Sequence, residues 1–389
     1  MQFAFTDEQQ MICDTASAFL TTHSTSEAVR AAMLSDAGYT PEMWQRITGE
    51  MVWQALHIPE SCEGMGLGYV ELAALFEQCG RHLLCAPFFS TVALGINTLL
   101  LCASDDQRAE HLPTLAAGTT ATLALGVADC QAPADLPGKV RSTADGIVIN
   151  GEYRFVVDGH SAETLLLVAV DEQGEVGVFV TPGDAAGISR ATVPTLDQTR
   201  RMATVTVTDL GLPASSRLNN SNWGQLQKVL DLARIALAAE QAGIAQAVLD
   251  DAVAYSQERQ QFNRPIASFQ AIKHKAADMM LRSEVARSAI YYAACIADEA
   301  LSGGELAGEL AEAASIAKAW CNEAAFENAA EALQIHGGVG FTWEYDIHLY
   351  FKRAKASQSL LGSSDRHREQ IAGLLLGNPS LTASSGEEA

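Results

Sequence analysis

The stretch from Gln225 to about Glu258 reads as one long helix, very rich in Ala and Leu. Side chains that small let long helices pack closely, so this stretch calls for other helices along its sides. Apolar residues at helical spacing predict further helices over roughly 268–301, 305–333, 343–359 and 365–376. Residues 216–376 are therefore expected to form an antiparallel four-helix-bundle-like domain, with a mobile tail over 377–389.

Residues 1–118 also read as helical. Thr6 with Gln9 forms a capping-box pattern, and Thr40-Pro41-Glu42 reads as an N-cap followed by proline at the first helical position. Between two later helices lies ESCEGMGLG at 60–68, whose three glycines predict a tight turn. It follows no strand, so it makes a poor dinucleotide loop. Near residue 119 the pattern changes to short β-rich runs: Ala121–Val127, Gly146–Asn150, Tyr153–Val157, Thr164–Val170, Val176–Thr181 and Met202–Thr208. The last, MATVTVT, alternates strictly, and Asn150-Gly151 reads as a hairpin turn. The expected architecture is α+β and multi-domain: a helical domain over 1–118, a small β-barrel or sandwich over 119–215, then the helical bundle.

With 25 Lys+Arg against 47 Asp+Glu, the net charge is -22. That argues against nucleic acid or an anionic membrane as the main partner, since both need a basic face. Phosphate-bearing small molecules, which need only a few local donors, remain open. Leu83–Cys102 is long enough to span a bilayer but contains Pro87, Ser90, Asn97 and Thr98, so it is expected to be a buried helix. The N-terminus lacks the basic and apolar parts of a signal peptide. Eight cysteines without CxxC spacing signal neither a zinc site nor a disulfide framework. A cytoplasmic protein without a metal is expected.

Two strings narrow the reading: ERQQFNRPIASFQAIKH at 258–274 and ALQIHGGVGFTWEYDIHLYFKRAK at 332–355. Together with the 60–68 loop and the α, β, α order, they resemble the acyl-CoA dehydrogenase family over nearly the whole chain. Read as residues alone, Arg259 is a guanidinium suited to a pyrophosphate or a solvated helix-end arginine, and Phe262 an apolar neighbour for a ring system. The glycine pair Gly337-Gly338 is a helix break or a place for close backbone approach. The resemblance implies bound FAD, with Arg259, Gln261, Phe262, Gln270, Gln334, Gly337 and Gly338 reaching the flavin nucleotide of a neighbouring subunit. Asn263 stands where the family has glycine, a mild departure because Asn tolerates a left-handed backbone. Asp231 and Arg234, three apart on one helix face, form a plain ion pair or, by resemblance, contact the coenzyme A portion of an acyl-CoA substrate. Phe155 aligns with the family's tryptophan beside the flavin ring. Val157 replaces a hydrogen-bonding threonine, and Val127–Ala134 replaces a hydroxyl-rich loop.

The family reaction removes an α-proton and a β-hydride from the thioester, and a carboxylate must sit close to that weakly acidic proton. Here the two family seats for it are Leu361 and Ala233, neither of which can take a proton. Glu240, seven residues after Ala233 and two turns along nearly the same face, is the candidate replacement; the alternative is a helix-interface Glu paired with an Arg. Asp365 and Glu369 are weaker candidates.

The reading that accounts for both degraded parts is one half of a heteromeric α2β2 acyl-CoA dehydrogenase for bulky steroid or terpenoid side-chain thioesters, with a homologous partner subunit and an electron-accepting flavoprotein. The alternatives are a self-sufficient homotetramer using Glu240, a catalytically silent structural subunit, and an oxygen-using flavoenzyme on the same fold.

Overall fold

The computed structural model describes residues 6–126, 130, 132–144 and 146–377. In chain order the helices are α1 (Asp7–His23), α2 (Ser26–Leu34), α3 (Pro41–Arg46), α4 (Tyr69–Arg81), α5 (Phe89–Cys102), α6 (Asp105–Ala116), α7 (Trp223–Glu258), α8 (Gln270–Ser302), α9 (Leu310–His336), α10 (Ile347–Ser359) and α11 (Ser364–Leu376). The strands β1 (Ala121–Ala124), β2 (Gly138–Thr143), β3 (Gly146–Val157), β4 (Thr164–Val170), β5 (Val176–Pro182), β6 (Ile188–Val193) and β7 (Met202–Leu212) fall between α6 and α7. The helical, β, helical order is the one expected. Contacts divide the chain into two compact units: Met1–Arg30 with Tyr69–Leu84 and Arg234–Ala389, and Ala31–Gly68 with Cys85–Ala233. Compactness thus does not follow chain order, because the stretch 1–118 is shared between the units.

In the first unit, helix starts and crossings have identifiable causes. Thr6 and Gln9 cap α1 reciprocally, satisfying two of its free N–H groups. The start of α4 is capped by a distant residue: the Asp298 carboxylate of α8 accepts from the Tyr69 and Val70 N–H groups. Burial holds that carboxyl above its usual range, against the lowering effect of the same two N–H groups. Helices α4 and α7 cross with their backbones in near contact. A Cβ on Gly80 would lie 1.8 Å from the Glu240 carbonyl oxygen, and one on Gly243 would lie 1.9 Å from that of Glu77. The core of α7, α8, α9 and α10 is built from Ile244, Val248, Met279, Leu333 and Ile347 with many alanines, so the close packing expected of small side chains is realised. The most apolar window of α7 is long and apolar enough to cross a membrane, and 94% of it is buried inside the protein.

The second unit holds a mixed seven-stranded sheet. β1 runs parallel to β4, β2 pairs with both β3 and β4, and β7 lies between β3 and β6, with β5 on the other side of β4. Inward residues Ile149, Tyr153, Leu165, Leu167, Phe179 and Val205 form its core. The alternation in β7 is observed: Ala203, Val205 and Val207 are buried and their neighbours less so. Leu83–Cys102 is buried apart from the half-buried Ala86, Leu100 and Leu101, and α5 lies within it. The 60–68 loop is a tight turn, in which a Cβ on Gly64 would strike the Ile58 carbonyl at 1.9 Å.

One reading is corrected. Asn150-Gly151 is no hairpin turn, because β3 passes straight through it. Its pairing with β7 shifts register between Ile149 and Gly151, and Asn150 holds the bulge by accepting from the Asp209 N–H at 2.8 Å. Glycine is needed at 151 because the Gly138 Cα lies 2.9 Å from where a Cβ would stand. Strands β2 and β6, each half polar or more and without a fully buried apolar run, lack the apolar signal that revealed the others. The end of the run Ala121–Val127 and the 377–389 tail, apart from Gly377, lie outside the described residues.

The α4–α7 crossing is testable. Gly80→Ala and Gly243→Ala should each lower stability by about 1–3 kcal/mol or more, through forced separation of two backbones. Urea unfolding would show the loss as a lower midpoint, whereas Gly211→Ala, with nothing within 4 Å of its added Cβ, serves as the control.

Candidate active site

A strained hairpin follows α7. Gln260–Gln261 pairs with Arg264–Pro265, and the two residues between them, Phe262 and Asn263, have φ of 51° and 62°. Two successive left-handed residues make a type I′ turn, for which asparagine is well suited and phenylalanine is not. Phe262 is nevertheless 86% exposed. Its ring meets the Phe269 ring edge-on at 6.2 Å, and the Arg264 guanidinium lies 4.1 Å over that same ring. Arg259 is anchored through its backbone, its N–H donating to Tyr255 (2.9 Å) and its carbonyl accepting from Ile266 (2.8 Å), which leaves the guanidinium in the open. Gln261 on the hairpin and Gln270, the first residue of α8, are also exposed.

At the other end of α9, Gln334 is exposed on the last turn, and Gly337 takes φ 63° and ψ −143°, a conformation essentially reserved for glycine. A Cβ on Gly337 or Gly338 would meet nothing within 4 Å, so packing inside this chain does not demand that Gly338 be glycine. Open space, exposed amides and a free guanidinium make a surface onto which a diphosphate nucleotide can be laid.

The turn after α10 carries position 361. Leu361 is 6% exposed with φ 61°, and Gly362 follows at 107°. The end of α10 is buried, and its free carbonyls are met by side chains. Arg234 Nε donates to the Leu361 carbonyl at 3.2 Å and His367 Nε2 to the same oxygen at 3.0 Å. Lys318, fully buried, donates to the Ser357 carbonyl at 3.0 Å and to the Asn322 side-chain oxygen, which also accepts from Gln241 at 2.7 Å. Asn322 in turn donates to the Gln358 and Gly362 carbonyls. Cations at a helix C-terminus also complement its dipole. Burial, then Arg234 and Lys318, lower the His367 pKa to about 3, so its ring is neutral and its Nε2 carries the proton that the Leu361 carbonyl requires. Lys318, Asn322, Gln241 and His367 were not singled out from the sequence; a lysine within an Ala-rich helical run was the available signal.

The remaining carboxylates are placed as follows. Glu240 is 3% exposed and ion-paired with the buried Arg353, whose Nη2 also donates to the Leu84 carbonyl at 3.4 Å. Ala233 is fully buried. Asp365 and Glu369 are exposed on α11. Asp231 is buried on α7, three residues before Arg234. In the second unit, Phe155 is 49% exposed at φ 56°, at a register shift in β3, and Val157 is buried with an apolar side chain. In the Val127–Ala134 loop, residues 127–129 and 131 lie outside the described residues. Among the described residues no cluster of three or more His, Cys, Asp or Glu is arranged to hold a metal ion.

A helical, β, helical chain with these features has the acyl-CoA dehydrogenase fold. The chain belongs to the acyl-CoA dehydrogenase family: residues 6–119 match its N-terminal domain and 220–376 its C-terminal domain. It is 33% identical over 365 residues to the acyl-CoA dehydrogenase IpdE2 of Mycolicibacterium smegmatis, covering 94% of this chain and 97% of that one. It is 31% identical to the probable acyl-CoA dehydrogenase YngJ of Bacillus subtilis, over 97% of this chain and 100% of that one. Among solved structures, a variant of the Tcur3481–Tcur3483 steroid ACAD superposes with TM-score 0.84 at 28% identity, covering 96% and 99% of the two chains. Butyryl-CoA dehydrogenase from Megasphaera elsdenii gives 0.86 at 25%, covering 97% and 100%. The family binds FAD, and the open Arg259 and glycine-pair surface fits its nucleotide half.

Two outcomes follow from this geometry. Arg353→Leu should cost about 3–5 kcal/mol by stranding the Glu240 charge, while adding Glu240→Leu should recover most of that loss in urea unfolding. The His367 ring stays neutral in the native state to about pH 3 but takes a proton near 6.5 when unfolded. The unfolded chain therefore binds more protons between those values. Stability from this group is complete above pH 6.5 and falls as pH drops through the window, by up to about 1.4 kcal/mol per unit. His57, lowered to about 4 by burial, adds the same trend in the second unit. His367→Gln, which keeps a donor for Leu361, should flatten the acid limb of the stability–pH curve.

Proposed function

We propose that this chain is one subunit of a heteromeric acyl-CoA dehydrogenase, in which a homologous partner subunit supplies the catalytic base. The observation that carries this reading is the turn at 361: its backbone is held by Arg234, His367 and Asn322, yet the residue it presents is a leucine. Ala233 offers no proton acceptor, and Glu240 is committed to Arg353, which weighs against the self-sufficient homotetramer. The likeness to the Tcur3481–Tcur3483 steroid ACAD, which carries two names, supports a bulky, steroid-type acyl group.

In this reading Arg259, Gln261, Phe262, Gln270, Gln334 and the Gly337-Gly338 pair hold the nucleotide half of the partner's FAD. Arg259 meets the diphosphate charge, and the glycines let the backbone approach it. Phe155 can stack on a ring, whereas Val157 cannot donate a hydrogen bond, so the flavin-ring half of this chain's own site is the weaker one. When bound, FAD would supply the acceptor for the β-hydride of the acyl thioester. Arg234 acts on the 361 turn through its carbonyl, and Asp231 remains a candidate for the coenzyme A portion. The electrons pass to an electron-accepting flavoprotein; a 26% identical relative is the caffeyl-CoA reductase–Etf complex subunit CarC of Acetobacterium woodii.

Expressed alone, the chain should carry little flavin and show no dehydrogenase activity; co-expressed with its partner, it should purify as a yellow, active complex. In that complex Arg259→Ala should reduce flavin occupancy at least tenfold, and Glu240→Gln should retain turnover. A chain that is yellow and fully active alone would overturn the heteromeric reading. A flavin-loaded complex whose activity survives loss of the partner's carboxylate would do the same for the assignment of the base.

A further inference from the structure

The segment that leads from the 337–341 turn into α10 is latched to α2. The Arg30 guanidinium donates to the Asp346 carboxylate at 2.5 Å and to the Tyr345 carbonyl at 3.2 Å, and Ser26 donates to the same carboxylate at 2.8 Å. Trp343, in the middle of the segment, is 60% exposed. Two cations lie over its ring, Arg30 at 5.5 Å and Lys352 at 5.0 Å. The His348 ring meets the same indole edge-on at 4.9 Å.

His348 is the poorly supplied member of this cluster. It is only 5% exposed, and among the described residues neither of its ring nitrogens has a hydrogen-bond partner. A neutral imidazole leaves one donor and one acceptor unpaired there. An imidazolium would leave two charged donors unpaired, beside two cations, and burying an unpaired charge costs far more. Burial, then Lys352 and Arg30, accordingly hold the His348 pKa below its ordinary 6.5; Asp346 and the Thr342 backbone favour the proton but do not outweigh them. Glu344, the other carboxylate of the segment, is exposed and engages Thr342.

We propose that His348 is the acid trigger of this latch: on taking a proton its ring leaves Arg30 and Lys352 for water, which lifts Trp343 and parts Arg30 from Asp346, so that 342–346 opens while the helices stay folded. The sign follows from the lowered pKa. The latch is closed above pH 6.5, where His348 is neutral in any state, and opens as pH falls below that value. The inference needs neither flavin nor a partner subunit, so it stands or falls apart from the proposed function.

Trp343 is the reporter, because indole emission shifts to the red when the ring becomes fully hydrated. The spectrum of the full chain minus that of Trp343→Phe isolates this residue among the five tryptophans. Between about pH 7.5 and 4.5 a single red shift with its midpoint below 6.5 is expected, with far-UV circular dichroism unchanged across it. His348→Gln should abolish the transition. Lys352→Gln, which removes one of the two cations, should raise the midpoint by about half a pH unit. Hydrogen exchange, corrected for its intrinsic pH dependence, should quicken about tenfold over 342–348 on the acid side, and not in α7 or α9. A transition that survives His348→Gln, or a midpoint that Lys352→Gln leaves in place, overturns the proposal. So does a red shift that coincides with loss of circular dichroism, or a flat signal over the whole range. Where His348→Gln does not fold, the Lys352→Gln midpoint decides.

Discussion

The buried C-terminus of α10 sets the terms for the rest of the first unit. A helix end taken out of water leaves carbonyls that must find donors, and here side chains supply them. Arg234 from α7, Lys318 and Asn322 from α9, and His367 from α11 converge on it. Each helix that meets α10 there contributes at least one donor, so the register of three helices is fixed by the same few oxygen atoms. The left-handed Leu361 and Gly362 are the geometric result.

Much of the fold was legible in the residues. Capping at Thr6 and Thr40, the alternation of β7 and the length of α7 follow from local rules that tertiary contacts did not override. Asn150-Gly151 misled because the usual meaning of the pair, a two-residue turn, competes with another need for a small residue, the close passage of β2. Strands β2 and β6 were silent because half or more of their residues are polar and few are buried.

The site was legible in part. Arg259, Phe262 and Gly337 are exposed or carry special backbone angles, and such features leave motifs in a sequence. The Glu240 partner, Arg353, lies 113 residues away on another helix, a pairing that no local pattern encodes. Nor could Lys318 be recognised, since its acceptors are main-chain and amide oxygens whose positions exist only once α9 and α10 have packed.

The exposed Phe262, at the tip of a two-residue left-handed turn, has a consequence for the molecule as a solute. Its ring sits on a tight hairpin whose backbone leaves it little freedom to fold inward. In the heteromer proposed above, a partner covering that ring would tie folding to association: the free energy of the native state would include a contact that exists only above some concentration of protein. The melting temperature of that complex would then be a function of dilution, and the half-life of its subunits in a cell would depend on how quickly they meet.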